Sequence, residues 1–122
     1  MKDFRDLLVW NKAHALALNC YRATNDFPKS ELYGLTSQIR RSAALVAANI
    51  AEGCGKRGNA DFQRFLGIAA GSASEVEYHF LLAHNLGLLD SEQYKSLDAA
   101  VVEVKRMLAS LIIKVESDRR AS

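Results

Sequence analysis

The sequence predicts an all-α protein, an antiparallel up-down-up-down four-helix bundle. Apolar residues recur at helical spacing in four long segments, and no segment alternates apolar and polar residues between hairpin turns. One proline and seven glycines leave room for long helices. At 122 residues the chain is predicted to be a single domain, residues 1–122, large enough to bury a core without metal or disulfides.

The first helix is predicted over residues 6–25. Apolar and small residues from Val9 to Thr24 return to one face at a rotation of 100° per residue. Phe27 precedes Pro28, and the residue before a proline is pushed out of the helical region. The helix is therefore expected to end before this pair.

The second helix is predicted over residues 35–52. Gly53 follows it and is expected to stop it in the left-handed conformation that glycine adopts without steric cost. One stripe of this helix is expected to face the core: Leu35, Ile39, Ala43, Val46 and Ile50.

The third helix is predicted over residues 60–86. Asn59 is the expected N-cap, because its side-chain oxygen can accept a hydrogen bond from a free amide of the first turn. Gly87 is expected to close the helix.

The fourth helix is predicted over residues 91–118. Asp90 and Gln93 have the spacing of a capping box, in which each side chain bonds the other residue's amide. A regular apolar stripe from Leu97 to Val115 follows.

Composition indicates an ordinary soluble globular protein, with 49% hydrophobic and 25% charged residues. The longest apolar runs, such as Phe80–Ala83, are too short to span a bilayer, so no membrane association is expected. The N-terminus has no apolar signal region. Cys20 and Cys54 are expected to be free thiols in a cytoplasmic protein.

The formal net charge is only +2, but the cations are unevenly distributed. Between Thr36 and Ser74 there are five cationic residues and only two acidic ones, Glu52 and Asp61. Such a local excess attracts phosphate groups, although solvated helix ends also carry such residues. The candidate nucleic-acid contacts are Arg40, Arg41, Lys56, Arg57 and Arg64.

No motif predicts catalysis, a metal or a cofactor. Residues 53–58 match the letters of a dinucleotide-binding glycine motif, but they follow a helix where the motif needs a strand. Di-metal bundles use Glu-x-x-His pairs, and none occurs. Glu75 and His79 are one turn apart, with no second such pair. The chain is expected not to be an enzyme and to need no cofactor.

Polar residues line the edges of the apolar faces of helices 2 and 3. If the two helices pack antiparallel, these edges meet, so Arg40 or Arg41 can neutralise Glu75 while Asn49 bonds Ser72. A buried structural network is the favoured interpretation, and a ligand-binding groove is the alternative. The residues are Gln38, Ser42, Asn49, Glu52, Ser72 and Glu75.

A second face of helix 2 is also apolar and small. A surface helix usually turns charged residues toward water there, so a subunit interface is expected. Helix 1 adds an aromatic flank that either completes the core or joins this interface. The interface candidates are Trp10, His14, Tyr21, Ala44, Ala47 and Ala51.

The motifs in this order resemble the four-helix-bundle proteins encoded in 23S rRNA intervening sequences, a family that includes the accessory variability proteins of diversity-generating retroelements. The resemblance spans nearly the whole chain. It is carried by Phe4-x-x-Leu7-x-Val9-Trp10, Phe27-Pro28-x-x-Glu31, Gln38-Ile39-Arg40-Arg41, Asn49-Ile50-Ala51-Glu52-Gly53, Phe62-x-x-Phe65-Leu66 and Ala70-Gly71-Ser72-x-x-Glu75.

The resemblance implies a bundle protomer assembled into a homopentameric ring with a non-enzymatic role. It also implies a basic surface, which in the retroelement members engages nucleic acid and a reverse transcriptase. The first functional hypothesis is therefore a homo-oligomer that binds structured RNA or a nucleoprotein partner through a basic patch. The alternative is a protein-interaction scaffold with no nucleic-acid role.

Overall fold

A computed structural model describes residues 2–121, and within this range the chain forms four α-helices and no strands. Helix α2 packs against α1 and α3, and α4 packs against α1 and α3. The prediction of an all-α fold with four helices is confirmed. The helices are α1 (Leu8–Thr24), α2 (Leu35–Cys54), α3 (Asn59–Asn85) and α4 (Ser91–Ala121), with short 3-10 turns at Phe4–Asp6 and Lys29–Glu31.

Helix α1 begins later than predicted because the residues before it form a turn of their own. Asp3 caps that turn by accepting a hydrogen bond from the Arg5 amide at 3.0 Å. Leu7 is then extended, with φ −87° and ψ 123°, so the α-helix starts at Leu8. The Lys2 amide donates to the Cys54 carbonyl at 2.9 Å, which holds this segment against the end of α2.

The expectation that Gly53 stops α2 is wrong. The helix continues to Cys54, and the only described residue with positive φ is Gly87. Gly53 is instead buried against α3: a Cβ at this position would lie 2.9 Å from Phe65 Cβ and 3.1 Å from Phe62 Cδ1. Position 53 is therefore glycine because two helices approach each other there.

The expected end of α3 is confirmed. Gly87 has a φ of 78°, and the Leu88 amide donates to the Ala83 carbonyl at 2.9 Å, the six-to-one bond of a Schellman motif. The expected N-cap at Asn59 is wrong. Gly58 occupies the cap in an extended conformation, and Asn59 is already the first helical residue.

The capping box of α4 is confirmed. The Gln93 amide donates to Asp90 Oδ1 at 2.8 Å, and the Asp90 amide donates to Gln93 Oε1 at 3.1 Å. These reciprocal bonds satisfy two backbone donors that the helix start would leave free.

One continuous core runs between the helices. Phe80 is the largest side chain that is fully buried, and the whole predicted stripe of α2 from Leu35 to Ile50 is buried. Cys20 and Cys54 are buried free thiols. None of the helices in the described range is long and apolar enough to cross a membrane.

Candidate nucleic-acid interface

The five predicted cationic residues do not form one patch within the chain. Arg40 and Arg41 lie in the first half of α2, whereas Lys56 and Arg57 lie in the turn after it and Arg64 lies in α3. A helix rises about 1.5 Å per residue, which separates the two groups by roughly 20 Å. The candidates therefore form two sites, called here the arginine groove, around Arg40 and Arg41, and the loop site, made of Lys56, Arg57 and Arg64.

The loop site carries charge that the chain does not neutralise. Lys56 Nζ lies 5.4 Å from the centre of the Phe65 ring, and Arg64 Cζ lies 4.6 Å from the same centre. Arg64 is paired with Asp61 at 3.6 Å. Lys56 and Arg57 are exposed and have no acidic partner among the described residues. Their charges are available to an anionic ligand.

The arginine groove is built around a guanidinium that neutral acceptors hold in place. Arg40 Nε donates to Thr24 Oγ1 at 2.8 Å, and Nη2 donates to Asn25 Oδ1 at 3.1 Å. The guanidinium also lies over the Tyr21 ring, 4.9 Å from its centre. These contacts orient the half-buried side chain without cancelling its positive charge, and Arg41 beside it is exposed.

Sequence reasoning missed the partners of Arg40. Thr24 and Asn25 lie 16 and 15 residues before it, on the neighbouring helix and in the turn after it. Tyr21 was expected either to complete the core or to join a subunit interface. Because no local spacing relates these positions, only the packing of α1 against α2 brings them together.

Two adjacent hollows lie beside these arginines. The first has a volume of about 400 Å³, and the second has about 240 Å³ and extends to Lys29. They share Leu32, Thr36 and Arg40 as lining residues. The first hollow is also lined by Tyr21, Tyr33, Ser37 and Arg41.

The predicted polar residues lie along α2 and α3, but the expected pairs do not form among residues 2–121. Arg40 bonds to the end of α1 rather than to Glu75, and Asn49 Nδ2 donates to the Leu45 carbonyl at 2.8 Å rather than to Ser72. Short polar side chains within a helix often bond to the carbonyl one turn earlier, which explains this difference. Ser42 and Asn49 are buried, Ser72 is half-buried, and Gln38, Glu52 and Glu75 are exposed.

His79 lies among the predicted polar residues of α2 and α3, which are called here the polar seam, and it contacts the buried Ser42. Its Nδ1 lies 3.4 Å from Ser42 Oγ, whose hydroxyl also donates to the Gln38 carbonyl at 2.7 Å. Since that hydroxyl has one hydrogen, His79 Nδ1 is the donor to Ser42. Burial lowers the pKa of His79, and the nearby Glu75 carboxylate partly opposes this shift. The neutral imidazole is therefore the form that fits the packed helices.

Replacing His79 with asparagine should reduce the loss of stability that the protein suffers as pH falls below 6.5. The unfolded chain binds a proton near the usual histidine pKa of 6.5, while the folded chain binds it only at lower pH. His79 therefore costs no stability above pH 6.5 and lowers the free energy of unfolding as pH falls below that value. Urea unfolding on both sides of pH 6.5 should show a smaller decline for His79→Asn than for the parent.

The matched control for this test is His14→Asn, because His14 is exposed on α1. His14→Asn should leave the decline in the free energy of unfolding at low pH unchanged. Equal pH dependence in the parent and His79→Asn would contradict the assigned role of His79.

The interface candidates occupy different environments. Ala47 is only 7% exposed and lies in the core, so it cannot offer a surface to a second copy. Trp10 is half-buried and stacks on the exposed His14 ring, with 4.9 Å between ring centres. Ala44 and Tyr21 are exposed, and Ala51 is half-buried.

The exposed apolar surface of α2 is rotated from the predicted one. Leu45 and Ala48 lie on its outward side, and Ile68 is exposed on the adjacent α3. The name α2–α3 face is used here for Ala44, Leu45, Ala48 and Ile68. Ala44 and Ala48 are one turn apart and both exposed, so their spacing in the sequence does indicate this surface. The prediction centred the surface on Ala47, which is instead buried in the core.

The described part of the chain offers little reactive chemistry. Burial raises the pKa of the Cys20 thiol to about 12, so the nucleophilic thiolate is not populated at neutral pH. No group of three or more metal-ligating side chains converges within residues 2–121.

Comparison with known proteins identifies the family. The family model described as 23S rRNA-intervening sequence protein matches residues 5–110. A crystal structure of a protein of unknown function from the S23 ribosomal protein family of Bacteroides thetaiotaomicron has a TM-score of 0.78 and 29% sequence identity, covering 86% of this chain and 98% of that one. No curated protein matches the chain. The predicted resemblance is thus confirmed, and the chain belongs to the 23S rRNA-intervening sequence protein family.

Proposed function

We propose that this chain is a non-enzymatic, cytoplasmic, homo-oligomeric protein that binds structured RNA or a nucleoprotein. The observation that carries this proposal is a set of exposed cations with no acidic partner among the described residues: Arg41, Lys56 and Arg57. Arg40 adds a fourth positive charge held only by neutral acceptors. Charges that the fold does not neutralise are the basis of phosphate binding.

The proposed protomer is an antiparallel up-down-up-down bundle. Contacts between helix ends support this arrangement: Gln63 near the start of α3 bonds to Glu116 near the end of α4, and Arg40 near the start of α2 bonds to Thr24 at the end of α1. Arg40 lies near the start of α2 and Lys56 follows its end, so the arginine groove and the loop site lie at opposite ends of this helix.

The proposed assembly is a ring of five copies, as the family resemblance implies. The α2–α3 face supports self-association because Leu45 of α2 and Ile68 of the adjacent α3 are exposed apolar side chains, and α2 also exposes the small residues Ala44 and Ala48. In a ring, each cationic site would be repeated by symmetry. Many weak phosphate contacts then act together, with little reading of base identity.

Replacing Arg41, Lys56 and Arg57 together with alanine should weaken RNA binding at least roughly tenfold and flatten its salt dependence. The reason is that the logarithm of affinity changes with the logarithm of salt by a little under one unit for each phosphate contact. The measurement is a titration of fluorescent structured RNA at two salt concentrations, with the mass in solution determined on the same sample.

The matched control is the combined alanine replacement of Arg22, Lys95 and Arg106. It removes the same charge from exposed positions on α1 and α4. Equal weakening by both triple variants would show that net charge alone matters. No binding by an intact assembly would overturn the RNA proposal.

A protein-interaction scaffold is the second candidate function. An apolar groove of about 440 Å³ between the start of α1 and the second half of α4 favours it. Leu8 at this groove is 64% exposed, and Met107 and Leu111 line it. Recovery of one protein partner after nuclease treatment, lost with Leu8→Asp, would support the scaffold over RNA binding.

A further inference from the structure

An exposed aromatic ring stands at the edge of the arginine groove. Tyr33 is 94% exposed and has no ring contact within the described chain. It lines the same hollow as Arg40 and Arg41. A ring this exposed contributes almost nothing to the core and leaves its faces accessible to a ligand.

The turn that carries Tyr33 is held by specific bonds. The Gly34 amide donates to the Glu31 carbonyl at 3.0 Å, and the Leu35 amide donates to Glu31 Oε1 at 3.2 Å. A Cβ at position 34 would lie 2.9 Å from that same carboxylate oxygen, so a larger residue there would displace the Glu31 carboxylate from its capping position. Tyr33 therefore projects from an ordered turn rather than from a loose loop.

Neither arginine of the groove has an acidic partner within residues 2–121. Glu31 is the acidic residue of this turn, and its carboxylate caps the first amide of α2. Arg40 binds only the hydroxyl of Thr24, the carbonyl of Tyr21 and the amide oxygen of Asn25. The groove thus combines an oriented guanidinium, a free guanidinium on Arg41 and a free aromatic face.

We propose that the arginine groove binds an unpaired nucleotide of RNA, with its phosphate on Arg40 and Arg41 and its base stacked on Tyr33. This inference rests on the RNA binding proposed above and names the element of RNA that this site takes. Guanidinium groups match phosphate oxygens in pairs, and unpaired bases stack on aromatic side chains. Bases inside a duplex cover each other's faces, so a duplex cannot use Tyr33 in this way.

The loop site provides the contrast within the same chain. Its Phe62 and Phe65 rings are buried, and Lys56 and Arg64 lie over Phe65. No exposed ring face is left there for a base. The loop site is therefore expected to bind the phosphates of paired and unpaired RNA alike, and only the arginine groove should require an unpaired base.

The test is Tyr33→Ala, with Tyr33→Phe as the matched variant that keeps the ring. The probes are a fluorescent hairpin with an adenosine-rich loop and a blunt duplex of the same stem. Tyr33→Ala should weaken hairpin binding by about 5- to 150-fold, the range expected for one stacked base, and leave duplex binding unchanged. Tyr33→Phe should bind both probes as the parent does. Thermal unfolding should be the same for all three proteins, because residue 33 is exposed.

The outcomes separate this inference from the proposed function. Unchanged hairpin binding by Tyr33→Ala, while the Arg41, Lys56 and Arg57 triple variant binds weakly, would overturn the nucleotide site and leave RNA binding intact. Equal loss on hairpin and duplex would also overturn it. Binding of neither probe by the parent would overturn the proposed function and this inference together. If adenosine monophosphate binds in a Tyr33-dependent way and neither RNA probe binds, the groove is a site for free nucleotides. This result would overturn the RNA assignment.

Discussion

Gly53→Val is expected to lower the free energy of unfolding by about 3 kcal/mol, at the upper end of the range for overpacked cores. Even the first added carbon would lie 2.9 Å from Phe65 Cβ and 3.1 Å from Phe62 Cδ1. Phe65 Cβ is bonded directly to the backbone, so a rotation of the side chain cannot move it away. The helices α2 and α3 would have to separate, and Phe62 and Cys54 would lose part of their burial.

The matched control for Gly53→Val is Gly67→Val. Gly67 lies within α3, eight residues after its start, and a Cβ there would meet nothing within 4 Å. Since valine and glycine have similar, low helix propensities, we expect this change to stay within about 0.5 kcal/mol of the parent. Urea unfolding at one fixed protein concentration measures both variants. Equal losses in the free energy of unfolding at the two positions would show that the close approach of α2 and α3 does not limit the size of residue 53.

The same glycine shows what the sequence could and could not predict. The helices were predictable because their signals are local: the apolar spacing of α2, the Asp90–Gln93 capping box and the glycine at position 87. A glycine beside a helix end has two physical explanations, a left-handed turn or a close contact with another element. Only the position of Phe65 relative to Gly53 distinguishes them.

The candidate nucleic-acid interface was predictable only in part, for a related reason. Composition placed the cations between Thr36 and Ser74, but distance along the chain does not show which of them lie together in space. The structure separates Arg40 from Lys56 by most of the length of α2. It also joins Arg40 to Thr24 across two helices, a contact that no pattern in either helix indicates.

The polar seam between α2 and α3 shows how residue type can mislead about partners. Asn49 was expected to bond to Ser72 across the seam, but it bonds to the Leu45 carbonyl of its own helix, and the bond across the seam is the one between His79 and Ser42. Gln38, Glu52 and Glu75 consequently remain exposed along the edge of the α2–α3 face. This arrangement leaves polar groups at the rim of an apolar surface, the pattern typical of subunit interfaces.

Ala48→Glu is expected to dissociate the proposed assembly while leaving the bundle folded. Ala48 is exposed within the α2–α3 face, with Leu45 one turn before it and Glu52 one turn after it. A carboxylate buried there by a neighbouring copy would have no designed cation partner and would lie near Glu52, at a cost of about 3 kcal/mol per interface. That cost corresponds to a loss of roughly a hundredfold in each association constant. Sedimentation gives the mass, and circular dichroism checks the helix content.

The matched control is Ala109→Glu, the same change at an exposed position on α4. It adds equal charge to the protomer, so any general effect of net charge on assembly appears in both variants. Loss of assembly only in Ala48→Glu would assign the interface to the α2–α3 face. An unchanged mass for Ala48→Glu would remove that face from the proposal, and dissociation only by Ala109→Glu would move the interface to α4. Ala47→Glu is not a substitute, because Ala47 is buried in the core and a charge there would unfold the protomer itself.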